Sequence, residues 1–382
     1  MVRIIIVLIC IICNLSCSSN HAPIFYGTEQ SVASKEGIKI LWTKEDIPDH
    51  ELAGWIMAGK DSLIASASGK NTDYYIRIYN TNSKQSISVL PIGRGPGEVY
   101  TVSRTGARHN NSIGLTLNEN RDTIYFFDIN NSYEHGEFIY TSKHLLNLSN
   151  ESWIRKANLL SLHDSTYNIP GIIFREGEAL YTMDKGVSPH TFYLYYNNDS
   201  LCEIPLYSKA PAMNISYGER YQDISKYNFE CLLYSFPFGI VKPDGNKMAI
   251  SYQFSPRLSI FDVNSKEYKH FIMSEETDMD CIAKGGLGSK NAKYYSTSME
   301  VSDDYIFLLW NGEKIHNKNN TPNIGLYNEV RIFSWHGEYI NRLILPEPIA
   351  HATLDNQENR LLCKNKMEEL FSIDISKYIS KE

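Results

Sequence analysis

The chain is predicted to be all-β: a six-bladed β-propeller of four-stranded antiparallel blades. Three observations lead there. A short strand-like run ending in a small polar turn recurs six times, each run is flanked by further strand-like runs, and no long stretch carries helical periodicity. The recurring runs are Ile76–Asn80, Ile124–Asp128, Phe192–Tyr196, Leu258–Asp262, Val330–Ser334 and Leu370–Asp374. They recur roughly every 59 residues, the length of one four-stranded blade with its connections.

Each run has a predecessor: Leu63–Ala67, Ser112–Leu117, Ala179–Met183, Lys247–Tyr252, Tyr305–Trp310 and Arg360–Cys363. An opening strand precedes most of these, at Trp55–Ala58, Gly171–Arg175, Phe238–Val241, Met299–Val301 and Ala352–Leu354. A fourth strand follows most runs, at Ser86–Leu90, Glu203–Leu206, Tyr268–Met273 and Tyr339–Leu345. Turn chemistry supports the hairpins: Pro243-Asp244-Gly245-Asn246 and Trp335-His336-Gly337-Glu338 place glycine where a tight turn needs positive φ. The last unit lacks a fourth strand, whereas Ile38–Trp42 precedes the first complete hairpin. That N-terminal strand is therefore expected to complete the sixth blade and close the ring, so that no sheet edge stays open at the seam.

The N-terminus has the layout of an export signal. Arg3 supplies a positive charge, Ile4–Ile12 is apolar but too short to span a bilayer, and Leu15-Ser16-Cys17 follows. A small residue before a cysteine at the end of such a run resembles a bacterial lipoprotein signal. On that reading Cys17 is the lipidated first residue of the mature chain; Asn14 stands where that pattern has an apolar residue. The expected organisation is a leader over 1–17, a flexible tether over 18–36 and a propeller over 37–382.

Composition narrows the function classes. With a net charge of −7 and no basic block, the chain has no nucleic-acid footprint. Its 26 tyrosines suit half-buried pleated surfaces. Beyond the leader, Cys202, Cys231, Cys281 and Cys363 show neither paired spacing nor neighbouring histidines, so no metal or other cofactor is expected. Cys202 and Cys231 could be bridged in an exported chain, or all four could be simply buried.

The long connections, at roughly 141–168, 207–236, 274–295 and 311–329, all fall on one face of the expected disc, whereas the opposite turns are tight. That face, near the central channel, is the expected binding site. The 207–236 crossing carries Tyr217 and Tyr221 with Arg220 between them. These rings could stack on sugars or anchor a protein partner, or could pack on the disc. The carboxylates Glu275, Glu276, Asp278 and Asp280 lack the spacing of a calcium loop and read as a solvated acidic segment.

One segment stands apart: Gly93-Arg94-Gly95-Pro96-Gly97-Glu98-Val99, directly after a blade strand. Its glycines force a tight path, and without a Gly-Lys-Ser/Thr ending it is no phosphate loop. With the lipoprotein-type leader and the Arg331–Glu338 hairpin, it resembles a group of Bacteroidetes envelope proteins described as six-bladed, TolB-like propellers. The resemblance implies a fold and a place in the envelope, and no catalytic residue. Arg94 and Glu98 are expected to pin the loop or, with Arg104, Tyr217, Arg220 and Tyr221, to line a ligand site; His109 lies close by.

No catalytic constellation is legible: the chain has neither a His-Glu-x-x-His helix nor a Gly-x-Ser-x-Gly elbow. The expected function is a lipid-anchored, non-catalytic binding or scaffolding propeller at the cell envelope, on the periplasmic side of the outer membrane. Its partner would be an envelope protein or a glycan, and it would meet the membrane through the lipid anchor alone. The alternative is a carbohydrate-active lyase or glycoside hydrolase on the same fold.

Overall fold

The computed structural model describes residues 27–48, 51–67, 73–95, 97–99, 102–109, 112–117, 123–145, 158–161, 171–174, 191–195, 201–205, 237–244, 246–253, 255–262, 264–273, 293–296, 298–315, 325–355 and 359–379. Among these, strands arranged mainly in antiparallel sheets dominate, with two short helices.

Three short strands lead: β1 (Thr28–Val32), β2 (Gly37–Lys39) and β3 (Thr43–Lys44). The first sheet then runs in chain order through β4 (Ala53–Ala58), β5 (Leu63–Ala67), β6 (Tyr74–Asn80) and β7 (Gln85–Pro91). The second comprises β8 (Val102–His109), β9 (Ser112–Leu117), β10 (Thr123–Phe127) and β11 (Tyr140–Leu145), with helix α1 (Ile129–His135) between the last two. The third holds β12 (Asn158–Ser161), β13 (Gly171–Phe174), β14 (Thr191–Tyr195) and β15 (Leu201–Pro205). The fourth holds β16 (Pro237–Val241), β17 (Lys247–Tyr252), β18 (Arg257–Asp262) and β19 (Glu267–Met273), and β1 adds to β19 in parallel.

The remaining strands form a single eight-stranded sheet: β20 (Met299–Val301), β21 (Tyr305–Trp310), β22 (Tyr327–Ser334), β23 (Tyr339–Asp355), β24 (Arg360–Asn365) and β25 (Leu370–Asp374), joined by β2 and β3. Helix α2 (Ser376–Ile379) ends the described chain. The two four-stranded blades expected here are thus one sheet, because the 17-residue β23 belongs to both. Its first half pairs with β22 (Leu343 opposite Val330) and its second with β24 (Ala352 opposite Cys363). Between them Pro346, Glu347 and Pro348 are exposed at a break in register, where prolines cost no ladder bond.

None of the five sheets closes into a ring; the N-terminal segment does add to the last strand of the final unit, but through Thr43 and Lys44, and the expected pairing by Ile38–Trp42 is corrected. That segment divides. Residues 37–39 pair in parallel with Arg342–Ile344, while Thr43 and Lys44 pair with Ser372 and Phe371 of β25. The division follows burial: Ile40 is in the core and Trp42 stacks on Phe371 at 4.1 Å, whereas Leu41 between them is 92% exposed. A single strand cannot follow both neighbours, so the chain steps from one to the other. The strand β1 lies inside the stretch expected as a tether.

The third unit also differs. Gly171–Phe174, expected as an opening strand, is second in its sheet after β12, and β11 and β12 occupy parts of the expected 141–168 crossing. Residues 179–183 lie outside the described residues. Asp128 caps α1 by accepting from the Asn131 amide at 3.0 Å, and Gly136 ends it at φ +71°.

Strand β21 shows how the sheets stack. Tyr305, Phe307 and Leu309 point into one core with Ile349, Leu361 and Cys363. Ile306, Leu308 and Trp310 point into another with Ile260 and Phe271 of the fourth sheet. Period-two alternation sends successive side chains to opposite faces, so a strand covered on both reads as an unbroken apolar run. The first sheet is likewise covered twice, by Leu115 and Phe127 of the second sheet and by Leu362 and Leu370 of the last. Opening strands of several successive units lie side by side, β8 with β12, β12 with β16, β16 with β20, and β23 with β20 and β4, and β8 also meets β16.

Candidate functional site

The glycine-rich segment after β7 folds back on itself. The Gly93 amide donates to Val99 O at 2.8 Å, and the Val99 amide to Pro91 O at 2.9 Å. Glu98 closes the turn: its amide donates to Gly95 O at 3.1 Å, and its Oε2 accepts from the Gly95 amide at 2.6 Å. The carboxylate fills the space a side chain would need, since a Cβ on Gly93 would lie 2.0 Å from Oε2. The glycines thus leave room for the carboxylate that holds them, as expected for Glu98. At the turn's entrance the buried Leu90 sits at φ +69°, a strained backbone that the surrounding structure holds in place.

A second element meets this loop. Beyond α1 the chain returns through Glu137 and Phe138 into β11, tied down by the Ile139 amide donating to Ser132 Oγ at 2.8 Å. Phe138 stacks on Phe127 with centroids 5.1 Å apart, and Tyr125 and Tyr140 meet edge-on at 5.1 Å. Edge and offset arrangements suit the ring quadrupole.

Between the two elements lies an open cleft of about 670 Å³. Val89, Leu90 and Val99 contribute apolar surface, and Tyr74, Tyr125, Phe138 and Tyr140 contribute rings. Glu98 and Glu137 are its charged lining residues, with no lysine or arginine among the described ones. Tyr74 and Tyr140 are each 39% exposed, leaving ring surface available to a ligand.

A depression of about 730 Å³ lies between Lys44–Pro48 and Met367–Leu370. Most of its charges are engaged, Lys44 with Glu369, Asp46 with Lys84 and Glu45 with Arg360, and its described lining holds no aromatic ring. The aromatic cleft is therefore the better candidate. Among the described residues no group of three or more His, Cys, Asp or Glu could hold a metal, and no helix is long and apolar enough to cross a membrane.

Of the residues singled out in the sequence, Glu98 lines the cleft, and Arg94 lies in its loop but not among the lining residues. Arg104 and His109 lie on β8, with side chains outside the described set. Tyr217, Arg220, Tyr221, the acidic 275–280 segment and Cys17 also lie outside the described residues. Sequence reasoning missed Tyr74, Glu137, Phe138 and Tyr140. The available signal was Asp128 and Gly136 bracketing seven residues, the marks of a short capped helix turning the chain back.

No family model matches the chain, and no curated protein matches it. Among solved structures, a protein from Bacteroides fragilis described as exported is 12% identical over 90% of this chain and 98% of its own, with a TM-score of 0.45. A luciferin-regenerating enzyme is 8% identical over 85% of this chain and 91% of its own, with a TM-score of 0.42.

Proposed function

We propose that this chain is a lipid-anchored protein of the cell envelope, a six-bladed propeller that binds a small ring-bearing ligand without transforming it. The blade reading is supported by the opening strands lying side by side and by sheets covered on both faces, as radial stacking requires. The envelope placement rests on the leader that ends at Cys17, and the periplasmic side on Ser18-Ser19-Asn20 behind it, which lack the acidic cluster that resembles a surface-export tag. The site reading is carried by one observation: the cleft between the first two sheets, walled by tyrosines and closed by the Glu98 turn. Exposed rings beside polar groups offer stacking surface and orientation at small conformational cost.

Thermal unfolding of the full chain against a panel of glycans and amines tests this. A ligand at 100 times its dissociation constant adds about 2.7 kcal/mol of stability, and Tyr140→Ala removes that gain. A shift that survives Tyr140→Ala refutes the cleft as the site.

A carbohydrate-active enzyme is the second reading, favoured by Glu98 and Glu137 lining one cleft. Glu98 is already committed to the Gly95 amide, which suits a structural carboxylate better than a proton donor. Release of reducing ends from any glycan that shifts the melting curve, abolished by Glu137→Gln, would establish this second reading.

A further inference from the structure

We propose that the ligand of the aromatic cleft is a cation, an amine-bearing sugar rather than a neutral or acidic one. The inference rests on the cleft reading above and adds the charge of what it holds. Rings alone would not discriminate, because a neutral sugar stacks on tyrosine as well as an amino sugar does. The charges do. The described lining pairs four aromatic rings with two carboxylates and no compensating lysine or arginine.

An acidic ligand would meet Glu98 and Glu137, and no lysine or arginine among the described lining residues offsets the repulsion. A neutral sugar can donate hydroxyls to the carboxylates as water does, but it leaves their charge uncompensated as water is displaced. An ammonium group satisfies both requirements, since it is drawn to the negative face of a ring and donates to carboxylates. Both acids are placed to receive it. Glu98 is held by the Gly95 amide through Oε2, and its Oε1 makes no hydrogen bond among the described residues. Glu137 is exposed and forms no ion pair among them. The chain's net charge of −7 adds a favourable long-range field for a cation.

The test compares two sugars on one backbone, in one of which acetylation removes the ammonium charge and adds an amide, so the salt dependence and the Glu137→Gln response identify the part that is charge. Titration calorimetry on the full chain, in detergent and below the pKa of the amine, is run with a glucosamine tetramer and its fully N-acetylated form. The amine form is expected to bind about fivefold or more tightly than the acetylated form. That preference should fall as salt is raised. Glu137→Gln should reduce it by about fivefold, with little change in the melting temperature, because Glu137 is exposed and its side chain forms no ion pair among the described residues. Tyr140→Ala should weaken both sugars.

Equal or tighter binding of the acetylated form, still lost in Tyr140→Ala, overturns the charge inference and leaves the cleft reading intact. Binding of the amine form untouched by both Glu137→Gln and Tyr140→Ala overturns the two together. So does the absence of binding by either sugar and by spermidine.

Discussion

Arg257 on β18 donates to Glu29 on β1 at 2.7 Å, joining residues 228 apart in the chain. The arginine side chain is buried and the glutamate partly so, and β1 runs parallel to β19 beside them. With β2 on β23 and β3 on β25, residues 28–44 add a strand to three edges in succession. Removing the glutamate deletes this charge-assisted hydrogen bond from a buried arginine. Glu29→Ala is expected to cost about 1–2 kcal/mol in urea unfolding, below a fully buried pair because Glu29 reaches solvent. Removing residues 27–44 uncovers all three edges and should give a lower melting temperature and edge-to-edge oligomers on gel filtration. Undiminished stability in the truncated protein would refute this role.

Gly337 is a site where a single methyl group should be intolerable. Its φ of +87° suits glycine, and a Cβ there would lie 1.8 Å from the Phe271 ring of the neighbouring sheet. Phe271 is buried, so it cannot swing away. Gly337→Ala combines backbone strain with overpacking, and a loss of about 2–4 kcal/mol is expected by denaturant titration.

The Glu98 turn predicts a paired result. In Gly93→Ala the new Cβ meets Oε2 and displaces the carboxylate, breaking its bond to the Gly95 amide. Glu98→Ala breaks the same bond directly. Each should cost about 1 kcal/mol, and the double variant should cost little more than either single one, the mark of one shared interaction. Additive losses would show that the two residues act separately.

Lys364 makes stability depend on pH in an unusual direction. It is 2% exposed on β24, and burial lowers its pKa from 10.5 to about 8, with Glu368 opposing. Below about pH 8 the folded protein holds a charged amine out of water. Between that point and 10.5 the unfolded chain binds the proton more strongly. Stability from this group therefore rises as pH increases through that window. Lys364→Met is expected to stabilise the protein at neutral pH by about 1–3 kcal/mol and to abolish this part of the rise. Equal pH profiles for the two proteins would contradict it.

Cys363 is fully buried between β23 and β25, a free cysteine whose thiol burial pushes up. Its reaction with a thiol reagent should follow global unfolding and be absent from the native protein. Labelling at native rates would show that the core opens locally.

The first and fourth sheets were legible almost strand by strand, because short apolar runs such as Lys247–Tyr252 and Leu258–Asp262 are bounded by turn residues whatever surrounds them. The cleft was less so. Tyr125 appeared only as a strand residue, and Phe138 and Tyr140 followed a stretch without periodicity, so nothing local joined them to Glu98. They converge because the second sheet packs on the first through Leu115, Phe127 and Ile129.

The sequence by itself determined what depends on neighbours along the chain: most of the strands, the turn at Gly337 and the self-closing Glu98 turn, whose groups lie within eight residues of one another. Tertiary structure alone decided what depends on which surfaces meet. It made β23 serve two sets of strands, sent residues 37–39 and 43–44 to different neighbours, and set Phe271 against Gly337. Edge pairing and packing draw on backbone groups and apolar faces that many strands of this chain share, so their partners are chosen by the assembled core and not by any one segment.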